Sequence, residues 1–189
     1  MTAAPDIYAL DAAALTALRC DVGSVTAAEW KRPTPCVGWT VSDLVEHMTT
    51  EHEAILAPLL GPVEPQTDSS AAFAASADRW ITAFGSEKSS PPTILIPKFG
   101  VALPAEAVLQ VHFMDMIVHR WDLARARAKP FTVPDSWLGI ALMTARSISP
   151  DSPLRDRLRP SYAAALSSTA DAPLLDQLLA ALGRHPNPD

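Results

Sequence analysis

The sequence predicts a mainly helical fold. Alanine and leucine dominate it, and runs of β-branched residues are few. Apolar positions recur every three to four residues between breaks rich in proline and glycine, the spacing of amphipathic helices. The chain has 189 residues, 48% of them hydrophobic and 19% charged. That length is enough for one domain over residues 1–189 with a sizeable core.

Each element follows from local signals. Ile7 to about Ala28 reads as a first helix with Leu10, Leu15, Leu18 and Val22 on its apolar stripe, and Gly23 weakens its far end. Lys31–Trp39, reading KRPTPCVGW, is a loop, because Pro33, Pro35 and Gly38 interrupt any helix. Thr40 is placed to cap a second helix, and Asp43 at its third position makes a capping box with Asp in place of Glu. This helix runs from Val41 to about Ala57, where Pro58 should end or kink it. Leu44, Val45, Met48 and Ile55 form its apolar side. His47 lies at the edge of that stripe, and His52, about 140° around from His47, is expected at the surface.

A turn over Pro58–Asp68 leads to a third helix, capped by Ser69 or Ser70 and running to about Phe84, with Gly85 as its stop. Phe73, Trp80, Ile81 and Phe84 are its apolar residues. Ser86–Leu103 reads as an irregular linker containing one β-like run, Thr93–Ile96. Pro104 suits the first turn of a fourth helix reaching about Ala128, and Glu106 complements the positive end of its dipole. Beyond Pro130 and Pro134, a fifth helix covers Asp135 to Ser147. Ser149–Ser161 is a loop, Tyr162–Ser168 is extended or a short helix, and a last helix from about Pro173 to Leu182 stops at Gly183.

Bulk properties exclude several roles. A net charge of −6 leaves no basic face for nucleic acid or an anionic membrane. No apolar run approaches the roughly 20 residues of a spanning helix. The N-terminus has no basic segment ahead of an apolar one, so the expected location is the cytoplasm. Cys20 and Cys36 are then free thiols; Cys20 is expected to pack in its helix, as free cysteines usually do.

The chemistry concentrates in Val111–Ala124, reading VHFMDMIVHRWDLA. His112, Asp115 and His119 share one stripe of an otherwise apolar helix: Asp115 lies about 40° from His119, and His112 about 20°. Buried polar groups need partners, and a divalent metal or a hydrogen-bond network could supply them. On the second helix, Glu51 follows His47 by one turn. If the second and fourth helices are neighbours, His47 can meet Asp115 and His119, a three-ligand set that leaves a position open. Glu51 and His112 remain alternative ligands, partners orienting a ligand, or catalytic groups. Asp122 is expected to pair with Arg125 on its own helix, and Trp121 to pack.

Three segments carry a resemblance. TPCVGWTVSDLVEH (Thr34–His47) is similar to the T-x-C-x-G-W-x-V-x-x-L-x-x-H opening of mycothiol-dependent maleylpyruvate isomerase-like proteins. HFMDMIVHRWDLARA (His112–Ala126) resembles their acid-x-x-x-His-x-W-D-L-A signature, and DQLLAALGRHP (Asp176–Pro186) their closing segment. The resemblance implies a DinB-like four-helix bundle, up-down-down-up, with extra C-terminal helices and irregular segments. It implies a metal triad of His47, Asp115 and His119, holding zinc or in some relatives nickel. It also implies mycothiol as co-substrate: the metal activates the thiol for attack on an electrophilic small molecule, as a transferase or isomerase does, in a monomer or homodimer. Two departures separate the chain from true maleylpyruvate isomerases. Few residues follow the fourth helix, and Asp115 stands where those enzymes use Glu. A non-catalytic bundle binding a small ligand or partner, and a metal-dependent hydrolase using activated water, are the alternatives.

Overall fold

A computed structural model describes residues 6–64, 66–155 and 162–186. It is mainly helical, as expected, with one small two-stranded sheet. The described chain forms two compact units, Met1–Phe131 and Thr132–Asp189.

The first unit is the four-helix bundle. Helix α1 (Ile7–Gly23) starts at Asp6, whose carboxylate accepts from the backbone N–H of Tyr8 and Ala9. Helix α2 (Val41–Leu60) starts at the expected capping box, with Thr40 and Asp43 satisfying each other's backbone N–H. Helix α3 (Ser69–Phe84) is capped by Asp68 rather than by a serine. Helix α4 (Ala105–Ala126) follows Pro104 directly. Around the bundle, α1 packs on α3 and α4, and α2 packs on α3 and, more sparsely, on α4. Leu15, Leu18, Leu44, Met48, Leu56, Phe73, Trp80, Phe84, Phe113 and Met114 fill the core.

Four local expectations are corrected. Helix α1 stops at Gly23 rather than near Ala28. Helix α2 continues through Pro58 to Leu60, because so near the helix end the proline removes a single donor and its ring sits in solvent. Cys20 is exposed: it lies about 200° from Leu18 on α1, on the face away from the core. Gly85 does end α3, but from a right-handed conformation; a Cβ there would lie 2.5 Å from the Ile81 carbonyl oxygen, so close approach is what requires glycine.

The run Thr93–Ile96 forms β1, paired antiparallel with β2 (Val101–Pro104) in the register Thr93↔Pro104 to Ile96↔Val101. Gly100, at φ +63°, closes the turn between them. Ile94 is the strand residue fully buried, and β1 packs against α2 and α4.

The long connection from α1 to α2 is held by a buried arginine. Arg127, just past α4, donates to the carbonyls of Asp21 and Ser24 and to the Ser24 hydroxyl, and its Nε lies 3.2 Å from Glu29. Arg32 in turn donates to the Arg127 carbonyl. The loop then returns through an antiparallel bridge between Pro33 and Thr40.

The second unit pairs α5 (Asp135–Ser147) with α6 (Leu174–Ala181). Arg146 donates to the Gln177 side chain, which also donates to the carbonyls of Ala170 and Ala172. Tyr162–Ser168 is irregular rather than helical; it runs beside α6, with Leu166 N–H donating to the Ala180 carbonyl. Gly183, at φ +77°, stops the last helix as expected. Pro153–Arg155 forms one 3-10 turn in the preceding loop, whose residues 156–161 lie outside the described ones.

Candidate metal centre

Two polar clusters hang from α4, seven residues and so roughly 10 Å apart along its axis. One is built on His119 and the other on His112.

His119 is buried, with a carboxylate at each ring nitrogen. Asp115 Oδ2 lies 3.4 Å from Nε2, one turn back along the helix, and Asp122 Oδ2 lies 3.2 Å from Nδ1. Asp122 is itself fully buried and accepts from the Cys36 thiol at 3.5 Å. The expected Asp122–Arg125 pair is not formed: Arg125 is exposed, and the carboxylate turns inward to the imidazole instead. His47, half-buried on α2, meets the His119 ring edge-on at 5.7 Å between centroids, and Trp39 packs on its other side at 4.8 Å. His47 on α2 is thereby placed beside Asp115 and His119 on α4, but the ligand atoms of these three do not all come within 4.8 Å of one another.

Burial would lower the affinity of His119 for a proton, but Asp115 and Asp122 overcome it and raise the pKa to about 9. The pKa of His47 is lowered, first by burial and then by His119, with Asp115 and Glu51 opposing and Lys98 adding to the effect. Glu51 is exposed and acts on His47 only through its charge. Lys98 sits in the β1–β2 turn, so the hairpin brings a positive charge within reach of this end of the bundle.

One separation in the expected set suits a metal. Zinc with nitrogen and oxygen ligands at about 2.0–2.1 Å in a tetrahedron spaces those ligands roughly 3.4 Å apart, which is the Asp115–His119 separation. Among the described residues, the three metal-capable side chains whose ligand atoms all lie within 4.8 Å of one another are Cys36, His119 and Asp122. His119 therefore has one nitrogen toward each of two carboxylates, and Asp122 and Cys36 were not among the ligands expected from the sequence. The CVGW turn in the 33–40 loop was the available signal, since it places a thiol and an indole just before the helix bearing His47.

His112 belongs to the other cluster. Its Nδ1 lies 2.6 Å from Asp11 Oδ1 and its Nε2 lies 2.9 Å from His52 Nε2. His52 Nδ1 then lies 3.2 Å from the Ser76 hydroxyl, and Trp80 Nε1 donates to the second Asp11 oxygen at 2.9 Å. The expectation that His52 is a surface residue is overturned, since it is 2% exposed. Val45, Met48, His52 and Leu56 share one stripe of α2, and measuring from that stripe rather than from His47 places His52 in the core.

A cavity of about 360 Å³ opens elsewhere, on the α2–α3 side, lined by residues that include Glu46, Thr49, Glu53 and Glu64. Neither histidine cluster lines it.

The family described as mycothiol maleylpyruvate isomerase N-terminal domain matches residues 12–83. Over these residues the chain is similar to that family. The match to the mycothiol maleylpyruvate isomerase domain spans most of α1, all of α2 and α3 up to its last residue, and so contains Cys36, His47 and His52; Asp115, His119 and Asp122 lie beyond it. Two uncharacterised proteins of Mycobacterium tuberculosis, from strains CDC 1551 / Oshkosh and H37Rv, are each 28% identical over 166 residues, covering 86% of this chain and 89% of theirs. Their coverage extends the likeness past α3. No solved structure matches the chain significantly.

Proposed function

We propose that the chain is a metal-dependent enzyme using a low-molecular-weight thiol, mycothiol, in transferase- or isomerase-like chemistry on an electrophilic small molecule. The first unit carries the whole proposed site. The observation that carries this reading is His119 held between two carboxylates with His47 edge-on to it. With Nδ1–H donated to Asp122, the imidazole presents Nε2 on the side of Asp115 and is locked in one tautomer, the arrangement of metal-bound histidines generally. His47, Asp115 and His119 would hold the ion, most suitably zinc, with nickel as the other candidate. A divalent ion there supplies a Lewis acid that favours the thiolate form of a bound thiol.

The residues do the rest. Asp122 keeps His119 oriented and takes its Nδ1 proton in a hydrogen bond, and Cys36 holds Asp122 from the far side. Burial keeps His47 neutral near pH 7 and ready to ligate. Trp39 walls the site beside His47. Aspartate at position 115 is one methylene shorter than the glutamate of true isomerases, so a metal held there would sit closer to α4 or bind less tightly, and maleylpyruvate isomerisation is not the activity proposed.

The deciding experiment is metal analysis of protein purified without chelator, followed by zinc and nickel titration and turnover of a panel of electrophiles with and without mycothiol. One equivalent of metal and mycothiol-dependent turnover are expected. No stoichiometric metal, taken or gained, would sink the reading, and turnover without thiol would favour a hydrolase. A second arrangement is favoured by the close grouping of Cys36, His119 and Asp122: an ion held there through His119 Nδ1. Cobalt(II) loading separates the two, because only that arrangement gives a thiolate-to-cobalt charge-transfer band that Cys36→Ser removes.

A further inference from the structure

The His112 cluster takes one residue or more from every helix of the bundle. Asp11 comes from α1, His52 from α2, Ser76 and Trp80 from α3, and His112 from α4. Its contacts run in a single line from Asp11 through His112 and His52 to Ser76, and the Ser76 hydroxyl reaches the Phe73 carbonyl at 2.9 Å. That line has four gaps, and each is a hydrogen bond only when it holds one proton.

Two neutral imidazoles and one hydroxyl supply three protons. One gap then brings two lone pairs together. A fourth proton fills every gap: His112 donates through both ring nitrogens, to Asp11 and to His52 Nε2. His52 then donates Nδ1–H to Ser76, and Ser76 donates to Phe73. The same proton balances the Asp11 carboxylate, which is 1% exposed and would otherwise be an uncompensated buried charge. Trp80 reinforces this choice, since its indole stacks on the His112 ring at 3.9 Å, a face that attracts a cation. The other groups bearing on His52 are Asp115, His119 and His47, toward the far end of the site, together with the Phe73 ring stacked at 5.8 Å.

The His52–His112 bond joins α2 to α4, a pair that otherwise packs sparsely. The proposed metal ligands span the same two helices: His47 is five residues before His52, and Asp115 is three after His112. We infer that Asp11, His112, His52 and Ser76 are positioning residues that set the spacing of α2 and α4 for the metal site, through a chain holding one proton more than two neutral imidazoles carry. The inference rests on the proposed His47–Asp115–His119 site for its metal arm alone.

The test uses the full chain, first metal-free. Nitrogen-15 spectra of the histidine rings at pH 7 are expected to show His112 protonated on both nitrogens and His52 neutral with its proton on Nδ1. Finding both rings neutral overturns the proton count. Ring-to-ring NOEs between His47 and His119 report the helix spacing without any metal, and they should weaken in Asp11→Asn and in Ser76→Ala. Ser76→Ala removes one hydroxyl at the end of the chain and keeps the inference testable if Asp11→Asn does not fold. With zinc, the folded variants should bind roughly tenfold more weakly, the lower end of outer-partner effects. Unchanged NOEs and unchanged zinc affinity in folded variants overturn the positioning role while leaving the metal site standing. A wild-type chain that takes no zinc fails the metal site instead, and the NOE and nitrogen-15 arms still decide the inference.

Discussion

The two clusters on α4 are made of the same residue types and differ in charge balance. In the His112 cluster, one carboxylate meets two imidazoles, a hydroxyl and an indole N–H, so one shared proton satisfies every atom. In the His119 cluster, two carboxylates converge on one imidazole. Even with His119 protonated, two carboxylates on one imidazolium leave one negative charge in excess, and a half-buried His47 of lowered pKa stands beside it. The first arrangement closes on itself. The second keeps an excess of negative charge that the proposed divalent cation would balance in place of the His119 proton. Residue type and helical spacing cannot separate the two; the ratio of carboxylates to imidazoles does.

The largest effect should come from removing a proposed ligand. His119→Ala is expected to weaken zinc binding by more than about 100-fold, beyond the 10–100-fold typical of outer partners, as measured by competition with a chromophoric chelator. If zinc affinity survives, the contrast between the clusters collapses. The reverse holds for stability. His52→Ala strands buried polar partners and should cost about 3 kcal/mol in urea unfolding of the metal-free protein. Asp115→Asn should cost about 1 kcal/mol or less, because its pair with His119 is partly exposed. Equal costs would mean that the His119 cluster is a core network too.

Asp122→Asn sharpens the assignment of the His119 nitrogens. With the carboxylate's hold on Nδ1–H weakened, zinc affinity should fall about 10-fold or somewhat more, and no change would show that Asp122 does not orient the ring. The smallest effect is the pH response of the metal-free protein, where His52 and His119 pull in opposite directions. His52 has its pKa held well below the usual value, first by burial and then by His112. The unfolded chain therefore binds a proton that the folded one refuses, and stability falls as pH drops below about 6.5. For His119, raised to about 9, the contribution is complete below about 6.5 and is lost as pH rises through about 9. Urea midpoints at acid, neutral and alkaline pH should thus peak near neutrality. An acid limb unchanged by Ser76→Ala and an alkaline limb unchanged by Asp115→Asn would remove the contrast.

Much of the bundle was readable from local rules. The Thr40–Asp43 box, the stop at Gly183 and the β-like TILI run each act within a few residues, and each formed where expected. His47, Asp115 and His119 were legible as residues sharing helix faces. What was not legible depends on distance in the chain. Asp11 meets His112 across 101 positions, and no periodicity announces that. Asp122 had two partners three residues away, His119 and Arg125, and spacing treats them alike; burial chose the imidazole. Pro58 shows a rule applied too strictly, since proline breaks a helix by removing a donor and crowding a carbonyl, and near an exposed end both costs are small.

The clasp at Arg127 has a consequence for how the site is assembled. Its bonds to Ser24 close a ring of chain spanning 103 positions. Closing a ring of that size costs conformational entropy that grows only slowly with length. Once it is closed, the segment from 24 to 40 is a short tether with both ends fixed, at the Arg127 clasp and at the Thr40 cap. Cys36 and Trp39 ride on that tether. Their seats beside Asp122 and His47 therefore require little further ordering, so the wall of the site forms in the same event that docks α1 against α4.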